Sequence, residues 1–154
     1  MSWHVPRILI ADDEPANLLL LETFLKDSGE VRSLDDSRLV EHAFVEFEPD
    51  ILLLDLHMPA PDGLEILRRL SSARSSLGFL PVIVLTADVT RVARNTALLL
   101  GADDFLTKPL ERDDVVLRVR NLLRTRQLYV ELAEANEALK RQLQRHAGSK
   151  PAID

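Results

Sequence analysis

The 154-residue sequence has no cysteine, one tryptophan, one tyrosine and five glycines. The absence of cysteine excludes disulfide bonds, thiolate-bound zinc, iron–sulfur clusters and thiol catalysis. No apolar run approaches the roughly 20 residues that a membrane-spanning helix needs. The first residues lack the basic and apolar regions of a secretory signal, and a chain without cysteine suits a reducing compartment. We therefore expect a cytoplasmic protein that does not contact the membrane.

The remaining composition is that of a folded globular chain rather than a disordered one. Hydrophobic residues make up 46% and charged residues 29% of the sequence, which is enough apolar surface for a core. The net charge of −6 makes direct nucleic-acid binding an unfavoured function. Acidic residues are in excess over residues 1–110 and basic residues over 111–147. The length predicts one domain with a short appendage.

Three short apolar runs are the strongest candidates for strands. They are ILIA at residues 8–11, ILLL at 51–54 and VIVL at 82–85. Continuous apolar runs of this length are typical of parallel strands that are buried on both faces. Weaker strand candidates are residues 31–34 and 105–107.

Helical patterns lie between these strands and after the last of them. Leu39 is predicted to face the core in the second helix, and Asp88 to cap a fourth helix that runs through Leu100 and is followed by Gly101. The five-fold alternation of strand and helix predicts an α/β fold. Specifically, we expect a doubly wound, five-stranded parallel sheet in the flavodoxin-like order 2-1-3-4-5. The predicted helices start at Pro15, at Asp36 or Ser37, at Gly63, at Asp88 and near Glu111.

Polar residues follow four of the predicted strands at the edge where a doubly wound sheet forms its site. These residues are Asp12 and Asp13, Asp55, Thr86, and Lys108. Three carboxylates cannot all ionise close together without a counter-charge. Mg²⁺ prefers oxygen ligands and supplies that charge. With the cation present, a carboxylate oxygen can attack a phosphoryl group.

The other residues at this edge suit the same chemistry. The ammonium of Lys108 would neutralise oxygens of the incoming phosphoryl group, and the Thr86 hydroxyl would donate a hydrogen bond to another. Pro109 is a candidate for a cis peptide bond, because the cis form of an X–Pro bond costs little. A cis bond there would aim Lys108 at the site.

Taken together, four segments resemble the receiver domain of bacterial two-component response regulators. They are ILIADDEPAN (8–17), ILLLDLHMPAPDG (51–63), VIVLTA (82–87) and GADDFLTKPL (101–110). The resemblance covers about residues 6–125, which defines the predicted receiver domain. It implies a phosphorylation-dependent signalling switch, catalysing only its own phosphorylation and dephosphorylation, with a histidine kinase or phosphotransfer protein as partner.

The resemblance also implies a role for each residue of the site. Asp55 is the implied phosphoacceptor. Asp13 binds Mg²⁺ directly and Asp12 through water, and Asp55 and the backbone carbonyl of His57 complete the protein ligands.

The same resemblance assigns the residues that respond to phosphorylation. Thr86 and Phe105 match the switch pair of the family. Lys108 matches its lysine, and Pro109 matches its cis-proline.

Three other functions remain open from the sequence. One is a phosphorylation-independent pseudo-receiver that serves as a scaffold or dimerisation module. Another is an aspartyl-phosphate hydrolase of the haloacid dehalogenase type, although that family has an acid two residues after its nucleophile, where this chain has His57. A third is the receiver fragment of a regulator that metabolises cyclic di-GMP.

The last predicted helix continues past the receiver domain, because no proline or glycine interrupts it between Glu111 and His146. Residues 126–147 are predicted to form a coiled-coil extension, and residues 148–154 a disordered tail. The extension is similar to linkers that precede HD-GYP or GGDEF output domains, and no output domain is present in these residues. The arginines at 118, 120, 124 and 126 are predicted to form a solvated face.

A heptad pattern in the extension predicts a parallel homodimer, since a single asparagine at an a position specifies register in such dimers. The residues predicted to form the dimer helix are Leu122, Tyr129, Asn136 and Leu143 at a positions and Leu132 and Leu139 at d positions.

Overall fold

Five parallel strands form one sheet in the computed structural model, which describes residues 4–88 and 90–149. The strand order is β2-β1-β3-β4-β5, so the predicted doubly wound topology is confirmed. β1, β3 and β4 occupy the centre because their residues are almost wholly apolar and can be covered on both faces. The strands are β1 Arg7–Ala11, β2 Glu30–Leu34, β3 Ile51–Asp55, β4 Val82–Thr86 and β5 Asp104–Thr107.

Helices connect the strands and cover both faces of the sheet. Each crossover returns the chain to the same edge, so every strand ends on the same side of the molecule. The helices are α1 Pro15–Leu25, a short 3-10 helix Ser37–Leu39, α2 Val40–Phe47, α3 Gly63–Ser76, α4 Arg91–Leu99 and α5 Arg112–Gly148.

Two apolar layers hold the helices on the sheet. Alternate strand residues such as Leu9 and Leu52 pack against the side chains of α2 and α3. Their neighbours Ile8 and Ile51 face the other way, against α1 and the first turns of α5. This alternation follows from the pleat of a strand, which sends successive side chains to opposite faces.

The sequence prediction was wrong at two helix starts. The cap of α4 is Thr90, whose Oγ1 accepts a hydrogen bond from the Ala93 backbone N–H, and not Asp88. Asp88 instead accepts from the Thr90 N–H and shapes the preceding turn. Leu39, predicted to face the core, lies in the 3-10 helix and is 50% exposed. The stop at Gly101 is confirmed, because its φ of 101° is the left-handed conformation that glycine favours.

α5 is much longer than the other helices. Its 37 residues span about 55 Å at 1.5 Å per residue. Gly148 is its last residue, so the helix continues one residue into the segment predicted as the tail, and residues 150–154 lie outside the described residues. Within the described part of the chain, no helix is both long and apolar enough to cross a membrane.

Candidate functional site

The sheet topology brings the predicted polar residues together at its carboxyl edge. Asp12 and Asp13 follow β1, Asp55 ends β3, Thr86 ends β4 and Lys108 follows β5. One carboxylate oxygen from each of the three aspartates lies within 4.8 Å of the other two. Asp12 and Asp55 are buried, whereas Asp13 stays accessible to solvent.

Lys108 supplies the positive charge in this cluster. Its Nζ lies 3.0 Å from Oδ2 of Asp12 and 3.2 Å from Oδ2 of Asp55. Burial disfavours the ammonium, but hydrogen bonding to Asp12 and the charge of Asp55 outweigh it and raise the lysine pKa. The backbone N–H of Lys108 donates to the carbonyl of Thr86, which fixes the loop beside β4. The predicted cis bond between Lys108 and Pro109 is present.

The surroundings of Asp55 strongly affect the pKa of its carboxylate. Burial raises its pKa to about 6, and the negative charge of Asp12 adds to the rise. A hydrogen bond from the His57 backbone N–H and the charge of Lys108 oppose the rise without cancelling it. The negative charge at this site is therefore only partly compensated, which is the condition that favours binding of a cation.

Hydrogen bonds to the backbone of the following loops orient the carboxylates of Asp12 and Asp55 toward Lys108. Oδ1 of Asp12 accepts the Glu14 N–H at 2.9 Å, and Oδ1 of Asp55 accepts the His57 N–H at 3.0 Å. Each residue thus uses one oxygen to shape its own loop and turns the other toward Lys108. Oδ2 of Asp12 is buried, and Lys108 Nζ lies 3.0 Å from it.

Gly63 is a site residue that the sequence interpretation used only as a helix start. A Cβ at this position would collide with the backbone carbonyl of Asp55 and with Cα of Leu56. The absence of a side chain lets α3 begin directly against the loop after β3, and the Gly63 N–H donates to the Leu56 carbonyl at 3.1 Å. The Asp62–Gly63 pair was the available sequence signal, since Asp62 also caps α3.

The predicted switch residues lie on neighbouring strands. Thr86 is buried, and its Oγ1 accepts a hydrogen bond from the Asp88 N–H at 2.9 Å. Phe105 lies on β5 and packs at the edge of the core that β3, β4 and α3 share. Its ring centroid is 5.8 Å from the guanidinium carbon of Arg94 on α4.

The donor set at the carboxyl edge fits Mg²⁺. Three carboxylates and the backbone carbonyl predicted for His57 are all oxygen ligands, which a hard cation prefers. The three carboxylates face a single ammonium, so a divalent cation would compensate the excess negative charge. Of the predicted ligands, Asp12, Asp13 and Asp55 are brought together by the fold.

The residues predicted for the dimer helix fall into two groups. Leu122 packs against the core between α1 and α5, and the Tyr129 ring contacts Phe79 with centroids 6.4 Å apart. Asn136 and the three distal leucines face solvent: Leu132, Leu139 and Leu143 are 57–69% exposed.

A polar contact at the opposite edge of the sheet was missed from the sequence. Arg126 donates to the Phe79 carbonyl at 2.7 Å, and its Nε lies 3.4 Å from Oδ1 of Asp50. With Tyr129 on Phe79, these residues hold α5 against the amino ends of the strands, and we call Asp50, Phe79, Arg126 and Tyr129 the basal clasp. The solvated-face prediction is therefore wrong for Arg126.

The other three arginines of that predicted face differ among themselves. Arg118 is partly exposed and bonds Asp104 and Asp114, each at 2.7 Å. Arg120 and Arg124 are exposed as predicted.

Comparison with known proteins gives a consistent result. The family model of the response regulator receiver domain matches residues 8–120. The transcriptional regulatory protein TrcR of Mycobacterium tuberculosis is 41% identical over 135 residues, which cover 87% of this chain and 51% of TrcR. The sensor histidine kinase GacS of Pseudomonas protegens is 38% identical over 115 residues, covering 71% of this chain and 12% of the kinase. The chain thus spans about half of TrcR and a small part of GacS.

Among solved structures, a response regulator from Chloroflexus aurantiacus described as putative shares 30% identity and a TM-score of 0.72. The alignment covers 79% of this chain and 99% of that one. The family model stops at residue 120, so it does not extend over the distal half of α5.

Proposed function

This chain belongs to the response regulator receiver domain family, and from that premise we propose that it is a phosphorylation-dependent switch with Asp55 as phosphoacceptor. Receiver domains are signalling modules rather than conventional enzymes. A histidine kinase or phosphotransfer protein would supply the phosphoryl group. The observation that carries the proposal is the buried Asp55 carboxylate, 3.2 Å from Lys108 Nζ and clustered with Asp12 and Asp13.

The proposed reaction is a transfer from a phosphohistidine to a carboxylate. An Asp55 oxygen forms a bond to phosphorus while the bond from phosphorus to the donor nitrogen breaks, and the released imidazole takes a proton from solvent. Asp12, Asp13, Asp55 and the His57 carbonyl would hold Mg²⁺, which compensates charge on the phosphoryl oxygens when it is bound.

Lys108 and Thr86 would bind the product. The Lys108 ammonium now pairs with both buried carboxylates, and phosphorylation of Asp55 gives it a phosphoryl oxygen to pair with instead. The Thr86 hydroxyl now accepts the Asp88 N–H, and it would rotate to donate to a second phosphoryl oxygen.

Movement of Thr86 would leave space that Phe105 can enter. Phe105 carries no hydroxyl, so its inward rotation needs no buried hydrogen-bond partner. It is already packed at the core edge, and the inward rotamer would separate its ring from the Arg94 guanidinium. The face formed by α4, β5 and α5 would thereby report the state of Asp55.

The distal part of α5 is the proposed route to an effector. Its exposed leucines support self-association, and a longer parent protein could place an output domain beyond it. A receiver fragment of a cyclic di-GMP regulator is one such arrangement. These proposals are separable from the chemistry at Asp55, because the contacts that build the carboxyl edge do not include the distal helix.

The test is phosphorylation by a small-molecule donor. Incubation with acetyl phosphate and Mg²⁺ should add one phosphoryl group, about 80 Da, detected by intact-mass measurement. Asp55→Asn should abolish the gain, whereas Asp27→Asn, at an exposed position outside the carboxylate cluster, should retain it. A folded wild-type protein with no mass gain would favour the pseudo-receiver scaffold, and a gain that persists in Asp55→Asn would exclude Asp55 as the acceptor.

A further inference from the structure

The distal half of α5 carries an apolar stripe without a partner in the described monomer. Leu128, Leu132, Leu139 and Leu143 lie on one side of the helix and are 57–69% exposed. Beyond Tyr129, the hydrogen bonds and ion pairs described for α5 all lie within the helix itself. A helix of this kind depends on packing of its apolar face for stability.

The charges beside this stripe are segregated along the helix. Glu131 flanks the stripe toward its amino end and Arg145 flanks the same side toward its carboxyl end, whereas Glu134, Glu137 and Arg141 lie on the opposite side of the helix. A second copy in parallel would place Glu131 at the level of the partner subunit's Glu131 and Arg145 at the level of the partner subunit's Arg145. A second copy in the antiparallel direction brings Glu131 of each copy toward Arg145 of the partner subunit, which is the electrostatically complementary arrangement.

We propose that the occupant of this stripe is the α5 helix of a second copy, bound in the antiparallel direction. The inference rests on the proposed self-association and deepens it, replacing the parallel arrangement that Asn136 predicts. Helical spacing then places Leu139 of one copy against Ala135 of the partner subunit, and Leu132 against Gln142 of the partner subunit. The midpoint of the pair lies near Glu137.

This alignment defines two symmetric ion pairs. Glu131 and Arg145 both lie on the same flank of the apolar stripe, 14 residues apart in the sequence. In the antiparallel pair, Glu131 of each copy lies beside Arg145 of the partner subunit. Within one helix these two side chains are about 21 Å apart along the axis, so they cannot pair with each other.

Disulfide trapping distinguishes the two directions, and the absence of native cysteine makes each introduced thiol unique. In the antiparallel pair, two copies of position 132 lie about 15 Å apart, too far for a disulfide. Leu132→Cys alone should therefore stay uncrosslinked under mild oxidation. An equimolar mixture of Leu132→Cys and Gln142→Cys should form a mixed disulfide dimer. Efficient crosslinking of Leu132→Cys with itself would overturn the antiparallel direction.

Charge reversal provides an independent test in the full-length protein. Glu131→Arg or Arg145→Glu should each weaken association about tenfold, because each change converts two attractive pairs into repulsive ones. The double variant should return to near the wild-type dissociation constant in sedimentation equilibrium. Arg141→Glu, on the helix side away from the leucines, is the matched control and should have little effect. Additive losses in the double variant would contradict the proposed pairing.

The results also separate this inference from the function proposed above. A chain that stays monomeric at high micromolar concentration overturns self-association and the antiparallel pairing together. A dimer that crosslinks in the parallel direction overturns the pairing alone. Neither result bears on the acetyl phosphate experiment, whose failure would instead remove the phosphorylation chemistry.

Discussion

The two edges of the sheet each hold an aspartate beside a cation, but only the carboxyl edge leaves negative charge uncompensated. At the carboxyl edge, Asp55 and Asp12 share the single ammonium of Lys108. At the amino edge, Asp50 accepts hydrogen bonds from the Arg7 N–H and from His4, and pairs with Arg126.

This difference separates the candidate functional site from a structural contact. The Asp50 carboxylate has a partner for each oxygen, so it contributes to stability and offers nothing further to a ligand. The carboxyl-edge cluster is stabilised only in part, and burial raises the pKa of Asp55 to about 6. Such incomplete compensation is typical of sites that bind a metal or react.

The largest effect should come from removing the shared cation at the carboxyl edge. Lys108→Met leaves Asp12 and Asp55 buried without a counter-charge, which should lower the free energy of unfolding at neutral pH by about 3 kcal/mol in urea titrations without metal. Lys140→Met, on the exposed helix, is the control and should change little. An unfolding free energy for Lys108→Met within about 0.5 kcal/mol of wild type would contradict the assigned ion pairs.

The basal clasp should be the next most sensitive element. Arg126→Ala removes the hydrogen bond to the Phe79 carbonyl and the pairing with Asp50, which should cost about 2 kcal/mol of unfolding free energy. Arg124→Ala, two residues away and exposed, should cost less than about 0.5 kcal/mol. Phosphorylation of the folded Arg126→Ala protein by acetyl phosphate should be retained. If it were lost, the two edges would not be independent.

Most of the carboxyl edge, but little of the amino edge, was predictable from the sequence. Asp12, Asp55 and Thr86 stand at the ends of buried apolar runs, so locating the strands also located the site. Asp50 and Arg126 are 76 positions apart, and neither belongs to a local pattern that specifies the other.

The same limitation applies to Tyr129. Its spacing fits an a position of a heptad, but a heptad pattern does not distinguish contact with another helix from contact with the chain's own body. Gly78 decides the outcome, because a Cβ there would collide with the Tyr129 ring. The prediction that Asp88 caps α4 was wrong for a different reason. Asp88 and Thr90 are both residue types that cap helices, and α4 begins after Thr90.

The pH dependence of the unfolding free energy should report the cost of burying the ionised Asp55 carboxylate. Its folded-state pKa of about 6 lies above the ordinary value of 3.8, so ionised Asp55 destabilises the metal-free fold above pH 6. This penalty is relieved as the pH falls through 6 toward 4. Asp55→Asn should therefore be more stable than wild type at pH 7.5 in EDTA by between about 1 and 2 kcal/mol. The difference should shrink at pH 4.5, and a difference independent of pH would contradict the assignment.

A smaller effect is expected from the metal ligands. Mg²⁺ at three times its dissociation constant should stabilise the folded state by about 0.8 kcal/mol, measured as a rise in melting temperature. Asp13→Asn should remove most of that rise because it removes a proposed direct ligand. Asp27→Asn, outside the cluster, is the control. An Asp13→Asn variant that responds to Mg²⁺ as wild type does would exclude Asp13 as a ligand.

The most direct test of the central claim is to locate the phosphoryl group on the chain. Borohydride reduces an aspartyl phosphate to homoserine, so protein treated with acetyl phosphate and Mg²⁺ can be reduced, digested and mapped by mass spectrometry. The account predicts homoserine at Asp55 and unmodified aspartate at Asp12, Asp13 and Asp50. Homoserine at any of those three positions with Asp55 unmodified would contradict it.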